Sequence, residues 1–475
     1  MIKTIDRMKG DGKTLGGANG KRVRVGLICG ADICHTRPVC VSIMNWSNPA
    51  DEICPSALLT HLPLGPLMQS LHSTTFSKSP NLIAWARAPV MAMMLMPMLG
   101  LVSCGGGHLE LAPVPSSNIL VPTPLPTSLR FRQLAVGLWH ACGVTAGGVV
   151  YCWGDNSYQQ LGAQSALPIC SQGPCSSTPL AVAAGVMFQT LAASLRDTCA
   201  LTASGQAWCW GYGLGGQLGN GQNANSSNSP VQVLGAVPFV AIDLGGSGLL
   251  GCALGSTGQG YCWGPDGKGG LGNGTTNGSD APAAVSGGLR LTTLTVGDDH
   301  ACGLSDSGSG YCWGDDLFGD LGAGVTGPSS VPVPVAGNLT FGAISAGLEH
   351  TCGLLADGSA YCWGFYLDVG SAVVSGSGVV SAPLPVSGGQ HFTTISAGQD
   401  HTCALDAAGA AWCWGENLGG ELGDGTTVNR AEPVPVQTSA RFVAIWAGGS
   451  TCALDADGQA YCWGPNFAGQ DGQAP

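Results

Sequence analysis

Charge is scarce in this chain: only 10% of its 475 residues are Asp, Glu, Lys or Arg. Long apolar runs suited to helices are missing as well. Without apolar stripes and charged faces there is little from which to build amphipathic helices, so the default is an all-β fold. The familiar catalytic motifs are also absent: there is no serine nucleophile elbow, no phosphate-binding glycine loop and no zincin motif. The chain therefore reads as a protein that is not an enzyme and needs no cofactor. Its few charges are unevenly spread. Up to Cys104 there are ten Lys/Arg against five Asp/Glu, and beyond it seven against twenty-four. So acidic a C-terminal part would repel phosphate backbones, which excludes nucleic acid as a partner.

Glycine and cysteine are abundant, at 77 and 21 residues. Seven times the chain writes Cys, nine residues, then Cys-Trp-Gly: Cys142/Cys152, Cys199/Cys209, Cys252/Cys262, Cys302/Cys312, Cys352/Cys362, Cys403/Cys413 and Cys452/Cys462. The first members lie 49 to 57 residues apart, a period that marks a repeat architecture. It overrides the three-domain expectation that length alone would suggest.

Four segments follow from composition. Residues 1–87 lack hydrophobic periodicity and read as a disordered or spurious leader. The Cys29, Cys34 and Cys40 cluster beside His35 has no second half-site at zinc spacing, so no metal is expected there. Residues 88–104 are an apolar stretch after Arg87, with the form of a secretory signal and too short for a comfortable membrane span. Its end, Leu101-Val102-Ser103-Cys104, resembles the lipobox of bacterial lipoproteins, which implies acylation of Cys104. Residues 105–117 suit a flexible linker. Residues 118–475 form the repeat array.

The sixth copy is the clearest. Phe392–Ala397 reads as a short strand ended by Gly398, and 401–405 and 411–414 as a β-hairpin about a glycine-bearing turn. Folding the hairpin symmetrically sets Cys403 opposite Cys413, at a separation that disulfide geometry can meet. A Gly-rich surface loop follows, and then Glu432-Pro-Val-Pro-Val, whose alternate prolines suit an outer edge strand. Four strands per copy in seven copies describe a seven-bladed β-propeller. The last copy lacks its Pro-Val-Pro-Val strand. Val121–Leu125, which aligns with 432–436, is expected to supply it and remove two free edges.

The recurring Gly-x-x-His-Thr-Cys-Ala-Leu, Gly-x-Ala-Tyr-Cys-Trp-Gly and Asn-x-x-Gly-Glu-Leu-Gly-Asp-Gly is similar to the regulator of chromosome condensation repeat. The resemblance covers about 120–475 and implies a seven-bladed propeller. Relatives include an exchange factor for a small nuclear GTPase and a secreted β-lactamase inhibitor.

A chain maturing at Cys104 has seventeen cysteines: the seven hairpin pairs, Cys170 with Cys175, and Cys104 itself. That parity points to disulfides and an extracytoplasmic life. Reduced core cysteines stay open as the alternative. His140, His300, His350 and His401 share one template position but sit on different blades, too far apart for one metal, so hydrogen-bonded structural roles are expected. The Trp of each Trp-Gly reads as core or inter-blade packing. The adjacent acids Asp298/Asp299 and Asp315/Asp316 belong to turns, and a glycosidase would need a converging pair.

Function is expected where the copies diverge, just after each Trp-Gly. There Tyr158, Tyr212, Phe318, Phe365, Tyr366 and Phe467, with nearby carboxylates, would ring one face as partner-binding residues. The resulting reading is a monomeric, non-catalytic platform for an unidentified protein, lipid-anchored at a bacterial cell surface or secreted. A guanine-nucleotide exchange factor-like regulator and a carbohydrate-acting enzyme are the alternatives.

Overall fold

The computed structural model describes residues 118–474, apart from 163–166, 171–172, 224–225, 236, 366–367 and 372–377. It also describes two short strands near the N-terminus, Leu27–Ile28 and Val41–Ser42, which pair antiparallel. The signal segment, Cys104, the linker and Tyr366 lie outside the described residues. Met1–Val114 and Pro115–Pro475 form separate units.

The second unit is a ring of seven four-stranded antiparallel sheets. Its blades are numbered one to seven in the order of their cysteine pairs. Blade six runs from inside outward as Phe392–Ala397, His401–Asp406, Ala411–Gly415 and Arg430–Pro435. The outer strand thus begins two residues before the stretch expected from its prolines.

In every hairpin the two cysteines are register partners. Their Cα atoms are 4.1 Å apart in all seven, close to the narrow, non-hydrogen-bonded spacing of an antiparallel ladder. Each pair is joined as a disulfide. Blades one to four hold Cys142–Cys152, Cys199–Cys209, Cys252–Cys262 and Cys302–Cys312. Blades five to seven hold Cys352–Cys362, Cys403–Cys413 and Cys452–Cys462. All fourteen of these cysteines are fully buried. Cys170 and Cys175 form an eighth bridge in the insertion of the first repeat. The alternative of reduced core cysteines therefore falls.

The ring closes as its sequence requires. Ile119–Pro124 pairs with Ala460–Gly464, Thr123 opposite Cys462, and completes blade seven. Leu125 N–H donates to the Ala460 carbonyl at 2.9 Å, and the Leu125 side chain is buried. The N-terminal strand of the array thereby covers an edge that would otherwise offer unpaired backbone groups.

Blades are joined by side chains as well as by apolar packing. Each Trp of Trp-Gly is fully buried. Six of the seven indole N–H groups donate to a loop carbonyl of the preceding blade, as Trp210 does to Gln160 at 2.9 Å and Trp363 to Asp320 at 2.8 Å. Trp153 donates to Gln470 at 2.8 Å, carrying the pattern across the closure. The histidines complete a second link. His140 donates to Thr198 Oγ1 at 2.8 Å, and that hydroxyl donates to the Gln160 carbonyl at 2.9 Å. The same link joins His300, Thr351 and Asp320, and again His401, Thr451 and Glu421. Because the hydroxyl proton goes to the carbonyl, Nε2–H must be the donor, and burial, which lowers the pKa of these rings, keeps them neutral. The histidines are structural, as expected from their template position.

Candidate functional site

The turn between first and second strands and the loop after Trp-Gly emerge on the same face of each blade. A backbone bond fastens one to the other. The residue following the glycine donates its N–H to the turn: Asp155 to Trp139, Tyr212 to Arg196, Asp315 to Asp299, Phe365 to Glu349 and Glu416 to Asp400, at 2.7 to 2.9 Å. Only glycine permits the approach. Gly415 has φ of 107°, and a Cβ there would lie 2.7 Å from the Asp400 carbonyl oxygen. The most variable residues of the repeat are thus held in pairs on one rim.

The hairpin cysteines lie below this rim and take no part in it. Cys152, Cys209, Cys262 and Cys312 each stand two residues before the rim-fastening glycine, as do Cys362, Cys413 and Cys462. All are fully buried and bonded to their opposite cysteine, so they hold the hairpin that carries the loop and offer no thiol to a ligand. Their role is structural.

Two aromatic clusters stand on the rim, each across a blade seam. Tyr158 and Tyr212 meet edge to face with centroids 5.5 Å apart, and the Arg196 guanidinium lies 5.0 and 5.4 Å from their rings. Phe318 and Phe365 meet in the same way at 5.6 Å. Phe467 is half-buried in blade seven. Among the described residues, these two pairs are the ring contacts seen between the expected rim aromatics. Leu214, Leu317 and Leu418 occupy one position of these loops and are exposed. Arg196 escaped the sequence reading because it precedes the cysteine pair, although Trp139, Arg196, Asp299, Glu349 and Asp400 diverge there as much as the later loop does.

The carboxylates divide into three groups. Asp155, Asp266 and Asp316 turn back to hold their own loops. Asp155 accepts from Ser157 and Gln160, Asp266 from the N–H groups of Lys268, Gly269 and Gly270, and Asp316 from those of Leu321 and Gly327.

A second group stands one position before a buried apolar loop residue (Leu321, Val369 or Leu422): Asp320 and Asp368 are buried, and Glu421 is half-buried. Burial pushes Asp320 and Glu421 up to about 7, against stabilising backbone hydrogen bonds. Asp368 is raised well above the usual carboxylate range by burial and then by the charges of Asp400 and Glu416. The loop that reads from sequence as surface is thus partly interior.

The third group is paired with a cation. Lys268, from blade three, places its ammonium between Asp315 and Asp299 of blade four, 3.3 Å from the latter. Burial alone would lower its pKa, but the Asp315 and Asp299 contacts raise it above the usual lysine value. No group of three or more His, Cys, Asp or Glu among the described residues is arranged to hold a metal ion.

Profiles of the regulator of chromosome condensation (RCC1) repeat match residues 131–160, 343–365 and 392–421, and, for a second form of the repeat, 204–250 and 408–454. The propeller carries regulator of chromosome condensation repeats. Among curated proteins, human E3 ubiquitin-protein ligase HERC2 is 29% identical over 200 residues, covering 37% of this chain and 4% of the ligase. The Arabidopsis thaliana ultraviolet-B receptor UVR8 is 32% identical over 114 residues, 23% of this chain and 24% of the receptor. The chain thus spans only a small part of these relatives. Human WBSCR16 superposes with a TM-score of 0.63 at 18% identity, covering 73% of this chain and 90% of that one. Saccharomyces cerevisiae Prp20p, whose binding to Gsp1p and histones has been described, gives 0.59 at 21%, covering 72% and 83%. At such identities these structures speak for the repeat fold alone.

Proposed function

We propose that this propeller is a non-catalytic protein-binding platform working outside the cytosol, with the rim of paired turns and loops as its docking face. One observation carries the reading. The positions at which the repeats differ lie together on that rim, and they include exposed leucines and the Tyr158/Tyr212/Arg196 and Phe318/Phe365 clusters. Aromatic residues and arginine are the usual anchors of protein interfaces. Tyr366 and Phe467 are further candidates by loop position. Prp20p, a propeller of the same architecture, binds protein partners, which supports the reading by analogy.

The location is proposed on the disulfides. Eight are formed among the described residues, and such density belongs to oxidising compartments. An exchange-factor role would need a cytosolic protein, which the disulfides oppose. Attachment to a bacterial membrane through acylated Cys104 completes the proposal.

Affinity capture with the intact protein should recover a partner that a Tyr212→Ala, Phe318→Ala, Phe365→Ala variant loses. Equal recovery by both would remove this face. Protein made without reductant should show almost no reactive thiols from the propeller, and fourteen would overturn the location. Cys104→Ala should move the protein out of the membrane fraction, and retention there would overturn the anchor.

A further inference from the structure

Among the described residues, the turns and loops of the rim carry two Lys or Arg side chains, Lys268 and Arg196. Lys268 is neutralised within the chain, its ammonium held by the carboxylates of Asp299 and Asp315. Arg196 stands in the turn of blade two and makes no ion pair among the described residues. Its partners are two rings, Tyr158 from the loop of blade one at 5.0 Å and Tyr212 from its own blade at 5.4 Å. Ring quadrupoles attract a guanidinium, but they neither cancel its charge nor supply acceptors in its plane. The Nε of Arg196 is buried with no hydrogen-bond partner among the described residues, while the side chain as a whole is half-buried and still reached by solvent.

Two carboxylates of the same blades are engaged elsewhere. Asp155, 1% exposed, accepts from Ser157 Oγ at 2.7 Å and from Gln160 Nε2 at 2.8 Å. Asp197, 2% exposed, accepts from the Ser194 hydroxyl. Burial raises Asp197 to about 7, against the Ser194 bond and the charge of Arg196, so at neutral pH it is only partly ionised. Neither gives Arg196 a full counter-charge. The cluster is also built in advance. Tyr158 and Tyr212 cross edge to face at 5.5 Å, and the Tyr212 N–H donates to the Arg196 carbonyl at 2.9 Å. The Tyr158 loop is tied down where Asn156 N–H donates to Pro174 at 2.7 Å, beside the Cys170–Cys175 bridge. A guanidinium held in this way loses little freedom when it is bound. Leu214, two residues beyond Tyr212, is exposed and offers an apolar shoulder.

We propose that the Tyr158, Arg196 and Tyr212 cluster is a receptor for a single carboxylate side chain, flanked by apolar residues, on a protein partner. A planar guanidinium meets a carboxylate through two parallel N–H bonds. Beyond Cys104 the chain has twenty-four Asp/Glu against seven Lys/Arg, a field that disfavours a dianion or a run of acids. One carboxylate is matched by one guanidinium. This rests on the platform reading and specifies the group that docks at the seam of blades one and two.

The probe is the peptide acetyl-Gly-Leu-Glu-Leu-Gly-amide, titrated into the full chain at neutral pH and read from the ring resonances of labelled tyrosine. Its glutamine counterpart should not bind. Arg196→Gln should weaken binding by about tenfold or more, the scale of losing a charge-assisted bidentate pair. Lys268→Gln removes a cation from the same rim and should change binding by about twofold at most, because that ammonium is already paired. Arg196→Lys keeps the charge and the long stem without the planar fork, and should weaken binding by about threefold or more. It decides the matter if Arg196→Gln does not fold. The proposal falls if the glutamate peptide does not bind, if the glutamine peptide binds as well, or if neither Arg196 variant weakens binding more than Lys268→Gln. Tighter binding of the phosphoserine counterpart would overturn it too, in favour of a phosphate site. Capture of a cellular partner that still depends on Phe318 and Phe365 would then leave the platform standing without its carboxylate receptor. Loss of that dependence alone would remove the platform.

Discussion

At Asp320 the main-chain carbonyl and the side-chain carboxyl act in opposite senses. The carbonyl accepts from Trp363 and Thr351 of the next blade and so joins two blades. The carboxyl is buried beside Asp316 and Asp315, with Oδ1 unpartnered, and burial followed by those charges raises it to about 7. Its folded value lies above its unfolded one. The stabilising contribution is therefore complete below about pH 4 and is lost as pH rises through 7. The buried histidines run the other way. His140 and His350, lowered by burial to about 3, favour the fold above pH 6.5 and withdraw that support as pH falls toward 3. Asp320→Asn should therefore stabilise the protein at pH 8 by about 2–4 kcal/mol and leave it nearly unchanged at pH 4. Thermal unfolding at the two values, with disulfides intact, tests this. An equal shift at both would mean that ionisation of Asp320 is not the cause.

The blade is the scale at which the sequence was most legible. Glycine turns, opposed cysteines and alternate prolines each have a local conformational meaning, so strand order and the Cys403–Cys413 register followed directly. The links between blades were not legible. Gln160, Asp320 and Glu421 are polar residues in glycine-rich stretches, and nothing local distinguishes a loop that covers a neighbouring indole from a solvated one. Two substitutions separate these kinds of constraint. Gly415→Ala forces a Cβ into the Asp400 carbonyl at φ of 107° and should cost about 2–4 kcal/mol. Gly389→Ala, at φ of 68° with open space around it, meets only the backbone preference and should cost about 1 kcal/mol. Denaturant unfolding of both variants provides the comparison, and similar losses would show that turn and loop are not tightly fastened. Removing one staple with Cys352→Ser and Cys362→Ser should cost about 2–3 kcal/mol, since the closed loop is short. A loss well below that would assign blade stability to packing alone.

Across the whole molecule, a ring must be closed somewhere, and here it closes by joining chain segments more than three hundred residues apart. The partner strand was legible only because Val121-Pro-Thr-Pro-Leu-Pro-Thr-Ser-Leu-Arg-Phe131 matches Glu432-Pro-Val-Pro-Val-Gln-Thr-Ser-Ala-Arg-Phe442 in residue type and spacing along most of its length. Its removal bears on more than six residues. Without Ile119–Leu125, the Ala460–Gly464 strand becomes an edge, and the core cluster that includes Phe131, Leu454 and Trp153 loses Leu125. A large apolar side chain lost from a core costs about 2–5 kcal/mol, and the lost ladder adds to it. Deleting 119–125 should therefore lower the unfolding temperature and promote association through the exposed edge. A synthetic peptide of residues 118–127 added in trans should reverse both effects by restoring the strand, while its Leu125→Asp form should not. If the deletion leaves stability and association unchanged, the ring is held by its seams, and the closing strand only decorates blade seven.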